Sequence, residues 1–176
     1  MRKLRSTFIA VLFLSPGMLR AADPFLGKWN LDIKRSKYPA PYCPARMTIE
    51  MTSAPNGVHY HSETHLANGA SFSADYVAHY DDHPTMVAGA KGVLLPVSLH
   101  RESSNVVIAR YVSGLETRAT SRRIVSADGN TMTVTTTSRD GSGNEFTNVG
   151  VYKKANSSST GEFDLSRTKT DRLVPK

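Results

Sequence analysis

The sequence predicts an all-β protein, an antiparallel meander of about 8 to 10 strands closed into a barrel. Three observations predict it. Between Leu26 and Lys154 apolar residues recur with period two, the signature of a strand with one buried face. Turn pairs such as Asn56-Gly57, Asn68-Gly69 and Asp128-Gly129 interrupt that alternation, and Asn-Gly and Asp-Gly readily take the positive φ of tight hairpins. No window of about 11 residues holds a helical apolar stripe. Closure follows from edge chemistry, because an open meander leaves two rows of unpaired backbone groups exposed.

The elements follow in order. Trp29, Leu31 and Ile33 alternate with Lys28, Asn30, Asp32 and Lys34 in a first strand. Pro39, Pro41 and Pro44 then break the chain into a loop. Met47, Ile49 and Met51 alternate with polar residues up to the turn Pro55-Asn56-Gly57, and Val58 to Leu66 forms the returning strand. Phe72, Ala74, Tyr76, Ala78 and Tyr80 share one face of the next, which ends at Asp81-Asp82-His83-Pro84. The segment Met86 to Leu95, interrupted by Gly89 and Gly92, reads as a loop or a weak strand. Strands follow at Pro96 to Arg101, Val106 to Val112 and Glu116 to Ser126, then Thr131 to Thr137, and finally Phe146 to Lys153.

Three domains of the 176-residue chain are expected: residues 1–21 as a signal peptide, 22–155 as the barrel, and 156–176 as a polar, disordered tail. The first has a basic start, an apolar run from Phe8 to Leu14 and small residues at Ala21 and Ala22, which is the pattern of a cleavable export signal. Cleavage after Ala21 puts Leu19 at the −3 position; cleavage one residue later puts Arg20 there, a poor fit. The apolar run is far shorter than the roughly 20 residues that span a bilayer, so no transmembrane segment is expected after cleavage. The expected destination is the periplasm or the medium. Cys43, the one cysteine, has no internal disulfide partner.

The formal net charge of +7 invites a nucleic-acid reading, but its distribution removes it. Arg2, Lys3, Arg5 and Arg20 precede residue 22, and the tail carries four basic residues against three acidic ones. The barrel segment is therefore nearly neutral, and no nucleic-acid partner is expected.

Candidate chemistry lies in four places. His59, His61, Glu63 and His65 fall on one face of a strand, about 6.5 to 7 Å apart in steps of two, and His59, His61 and His65 form a candidate metal set. The opposite phase, Val58, Tyr60 and Leu66, argues that these histidines face solvent. Asp81, Asp82 and His83 sit in a turn, where Asp side chains ordinarily cap backbone N–H groups. Tyr60, Phe72, Tyr76, Tyr80, Tyr111 and Tyr152 provide a candidate ligand-binding surface, with Ala74 and Ala78 leaving space in a barrel just wide enough for one small ligand. Arg118, Arg122 and Arg123, with Arg110, read as an anionic-headgroup site or a solvated outer face. No nucleophile elbow, P-loop, zinc-protease helix, dinucleotide fingerprint or cysteine pair is present, so neither catalytic residues nor a cofactor are expected.

Gly27-Lys28-Trp29 at the start of the first strand resembles the opening of lipocalins and other calycin barrels. The resemblance implies that Gly27 and Trp29 close one end of the barrel beneath an Arg from a late strand, here Arg122 or Arg123. A broader similarity runs through Ser36-Lys37-Tyr38, Tyr80-Asp81-Asp82-His83-Pro84, Ser126 to Thr137 and Asn148 to Tyr152. It is to a family of small exported bacterial proteins described as lipocalin-like, which has no established activity to carry over. The expected function is binding of a small, largely apolar molecule inside the barrel without catalysis. The alternatives are a metal-binding or metal-dependent activity on the His59, His61, His65 face, and an envelope interaction protein with a filled core.

Overall fold

Short turns set the topology. In the computed structural model, which describes residues 22–39 and 43–155, ten strands follow one another around a closed barrel. They are β1 (Gly27–Leu31), β2 (Pro44–Ala54), β3 (Gly57–Leu66), β4 (Ser71–His79), β5 (Thr85–Gly89), β6 (Gly92–Ser103), β7 (Val106–Ser113), β8 (Glu116–Val125), β9 (Thr131–Arg139) and β10 (Glu145–Lys154). Every strand pairs antiparallel with the next, and β1 pairs with β10 to close the ring. The all-β barrel expected from the alternation is therefore the fold. The expected signal peptide (1–21) and tail (156–176) lie outside the described residues. No helix among the described residues is long and apolar enough to cross a membrane.

Local chemistry explains the register. Asn56 takes φ 56° at the β2–β3 turn and sets Ala54 opposite Gly57. Asn68-Gly69 sets His65 opposite Ser71, and every later β3–β4 pair follows from it, including Tyr60 opposite Tyr76 and His61 opposite Asp75.

Two segments differ from the sequence expectation. Met86 to Leu95, expected as a loop or one weak strand, is a hairpin of two strands: Gly89 pairs with Gly92, and Val87, opposite Leu94, is buried. The two glycines permit the tight reversal, while a register shift between Thr85 and Val87 breaks the alternation that would have revealed it. The first strand stops at Leu31, and Ile33–Arg35 forms a 3-10 turn. Ser36 Oγ donates to the Asp32 carbonyl at 2.7 Å, which draws the chain out of the ladder and into a bridge between Lys37 and Val149.

Alternation sorts side chains between lumen and surface. Trp29, Met51, Val58, Leu99, Val125 and Met132 are almost wholly buried in one apolar cluster with Phe25, from the segment before β1. Each such side chain contributes about 1.5–3 kcal/mol of transfer free energy, so this cluster is the stabilising plug of the barrel.

Candidate functional site

The plug explains what Trp29 does. Its Nε1 donates to the Phe25 carbonyl at 2.8 Å, and Lys154 Nζ lies 5.0 Å from the indole ring centre. Gly27, φ 116°, leaves the Lys154 stem room to pass. The expected cation over Trp29 is thus Lys154, not Arg122 or Arg123. Arg122 is on the outer face, its Nη2 3.3 Å from Glu102 Oε2, whereas Arg123 points into the lumen and is only 4% exposed. Adjacent residues of a strand face opposite ways, so one of the two had to enter. Arg101 plays a related closing part, stacked 4.0 Å over Tyr80 and paired with Asp23.

Beyond the plug the lumen holds a cavity of about 240 Å³. Met47, Ile49, Phe72 and Val134 give it apolar wall, while Tyr60, Tyr111, Thr64, Ser121, Thr136 and Asn148 bring polar atoms. Phe72, 51% exposed, stands at its mouth. Tyr38, from the segment after the 3-10 turn, and Tyr152 bring their hydroxyls 3.5 Å apart at the wall. A side chain at residue 150 would collide with both, its Cβ falling 2.6 Å from Tyr38 Oη, and Gly150 avoids this.

Four of the six aromatic residues expected to bind a ligand, Tyr60, Phe72, Tyr111 and Tyr152, line this cavity. Tyr76 backs it, stacked on Tyr60 with ring centres 4.7 Å apart. Tyr80 lies at the closed end beneath Arg101. Arg123 unites the group: Nη2 donates to Tyr76 Oη at 3.0 Å and to Tyr111 Oη at 3.2 Å, and the guanidinium lies 4.8 Å from the Tyr60 ring centre. Burial pushes the Tyr60 phenol up to about 12 and raises Tyr76 as well, so both are neutral at physiological pH. Burial works against the Arg123 charge, but the surrounding tyrosine oxygens outweigh it and hold its pKa above the usual value. The lumen therefore contains a cation whose polar partners are phenols. Sequence reasoning placed Arg123 elsewhere, although its shared phase with Ser121 and Val125 was the available signal.

The His-rich face lies outside the barrel. His59 Nε2 and His61 Nδ1 donate to Asp75 Oδ2 at 3.1 and 3.0 Å, and His61 Nε2 is 3.7 Å from Glu63 Oε1. His65 is apart from them, accepting from Arg46 Nη2 at 2.9 Å. Among the described residues no three His, Cys, Asp or Glu side chains converge so as to hold a metal ion. Asp75, which sequence reasoning missed, is the organising residue, placed opposite His61 by the Asn68-Gly69 register. In the Asp81-Asp82-His83-Pro84 turn, Asp81 accepts the His83 backbone N–H at 3.0 Å, as expected of a cap.

Partial burial raises the Asp75 carboxyl, but hydrogen bonds from His61 and His59 outweigh it, and the net pKa is below the ordinary 3.8. A depressed folded-state pKa adds stability that is present above the unfolded value and is lost as pH falls through the folded one. Asp75→Asn is accordingly expected to lower the melting temperature at pH 7 by about 2–4 °C, since exposed pairs contribute at most roughly 1 kcal/mol. The difference from wild type should shrink on acidification below pH 3.8. A difference that grows at low pH contradicts the assignment.

A hollow of about 790 Å³ between the ends of β8, β9 and β10 has no buried lining residue. Nothing there is desolvated for recognition.

Comparison with known proteins supports the fold. No protein-family model matches the chain, and no curated protein matches it in sequence. Solved structures do match. Zebrafish ileal bile acid-binding protein complexed with cholic acid aligns with TM-score 0.51 and 12% identity, covering 75% of this chain and 99% of that one. A Schistosoma mansoni fatty acid-binding protein in complex with arachidonic acid aligns with TM-score 0.53 and 17% identity, over 76% and 97% of the two chains. The M. tuberculosis protein Rv2717c aligns with TM-score 0.50 and 15% identity, over 82% and 100%. At these identities the likeness is one of fold, and the fold is an antiparallel ten-stranded closed barrel of calycin type.

Proposed function

We propose that this protein is a non-catalytic binding protein that holds one small, largely apolar molecule inside its barrel. The observation that carries the proposal is the 240 Å³ lumen cavity, bounded by Met47, Ile49, Phe72 and Val134 and open at Phe72. A filled core, as an interaction protein would have, leaves no such space. The fold neighbours in complex with cholic acid and with arachidonic acid support a lumen ligand. The proposal includes export: residues 1–21 are the signal peptide, and the barrel works in the periplasm or medium, in keeping with the resemblance to small exported lipocalin-like proteins.

Titration with the neutral, environment-sensitive dye prodan tests it. Saturable one-to-one binding with an emission increase is expected, and Val134→Trp, which fills the lumen, should abolish it while a circular-dichroism melt shows a folded protein. No saturable binding, or binding unchanged in folded Val134→Trp, refutes the lumen site.

A further inference from the structure

We infer that the natural ligand is a compact carboxylic acid, a monoanion whose carboxylate is received by Arg123 and whose short apolar body lies against Ile49, Val134 and Phe72. This rests on the lumen being the binding site, and it adds the charge, the size and the orientation of the occupant.

Arg123 is 4% exposed, and among the described residues no Asp or Glu lines the cavity it borders. A buried cation without an anion is costly, because neutral dipoles replace water only in part. Its hydrogen bonds to Tyr76 and Tyr111 both leave from Nη2. Among the described residues the other guanidinium nitrogens make none, and no fully buried side-chain nitrogen or oxygen lacks a partner. Arg123 also lines the cavity, so those N–H groups are available to a molecule in the lumen. A planar guanidinium with free donors matches a carboxylate, to which its N–H groups donate in parallel.

The same geometry sets the limits. One guanidinium neutralises one negative charge, so a phosphate monoester near its dianionic form brings an uncompensated charge into the barrel. The Tyr60 and Tyr76 phenols stay protonated and offer donors rather than further negative charge. The 240 Å³ volume lies below the roughly 300–1,000 Å³ of pockets that enclose larger ligands, so it suits a compact body better than a long acyl chain. Asn148 adds polar wall that an extended hydrocarbon would not satisfy.

Isothermal titration of the full chain with 3-phenylpropionate, 3-phenylpropionamide, phenyl phosphate and hexadecanoate tests the inference, with prodan titration in parallel. The expected result is that 3-phenylpropionate binds about tenfold to a hundredfold tighter than its neutral amide, the worth of charge-assisted hydrogen bonds, and tighter than the other two. Arg123→Gln should erase the preference for the acid, and Arg123→Lys should keep part of it. If Arg123→Gln fails to fold, Tyr111→Phe, which removes one phenol beside the guanidinium, should weaken the acid and leave the amide unchanged. Equal binding of acid and amide, with prodan still bound, overturns the carboxylate assignment and leaves the lumen site standing. Hexadecanoate or phenyl phosphate binding more tightly than 3-phenylpropionate overturns the size or the charge limit. Loss of prodan binding together with every acid overturns the lumen site itself.

Discussion

Trp29→Ala is expected to destabilise the barrel by about 3–5 kcal/mol, the usual cost of truncating a fully buried Trp. Trp29 is 0% exposed within the plug, and its removal leaves a void in the buried cluster beside Phe25 that the closed ring cannot collapse to fill. It also leaves the Phe25 carbonyl without its 2.8 Å donor and Lys154 without the ring beneath it. For a domain of this size the melting temperature should fall by roughly 10–20 °C. Trp29→Phe should recover most of the loss, short by about 1 kcal/mol for the missing N–H. Urea unfolding followed by circular dichroism measures both, and a Trp29→Ala cost below about 1 kcal/mol means that the plug does not hold the barrel closed. Because Trp29 does not line the cavity, prodan affinity of the folded variant should be unchanged at low temperature.

Gly57→Ala is the second large effect. A Cβ at residue 57 would sit 2.0 Å from the Ala78 carbonyl oxygen and 2.8 Å from the His79 Cα. These are backbone atoms of β4, so no rotamer change relieves the contact, and the β3–β4 ladder must separate where Gly57 faces His79. Overpacking of this kind costs about 3 kcal/mol. Gly141→Ala is the matched control, since nothing lies within 4 Å of its added Cβ. Equal melting temperatures for the two variants would show that the strands part there without cost.

Most of the strand inventory was legible because its signals are local. Period-two alternation in Met47, Ile49 and Met51, and turn residues such as Asn56-Gly57, act within a few residues of themselves, and the structure places β2, β3 and β4 where they indicate. The β5–β6 hairpin was not legible, because a register shift and two glycines erase the alternation that a strand otherwise shows. The Asp32–Ser36 turn was missed for a similar reason: a single side-chain bond to a carbonyl overrode the apolar phase of Ile33.

The site divides along the same line. The shared inward phase of Phe72, Ala74 and Tyr76 could be read from one strand, and so could the outward phase of His59, His61 and His65. That Asp75 rather than His65 joins the first two depends on cross-strand register. The choice of Lys154 over Arg122 or Arg123 at Trp29 depends on how β10 closes against β1. By itself, then, the sequence determined an all-β meander, its turns and which face of most strands looks inward, since these follow from backbone sterics and side-chain alternation. Only the tertiary structure decided that Arg123 enters the lumen beside Tyr60, Tyr76 and Tyr111 and that a cavity remains in front of it. Residues far apart in the chain meet across the lumen only once ring closure and strand stagger set which of them face each other.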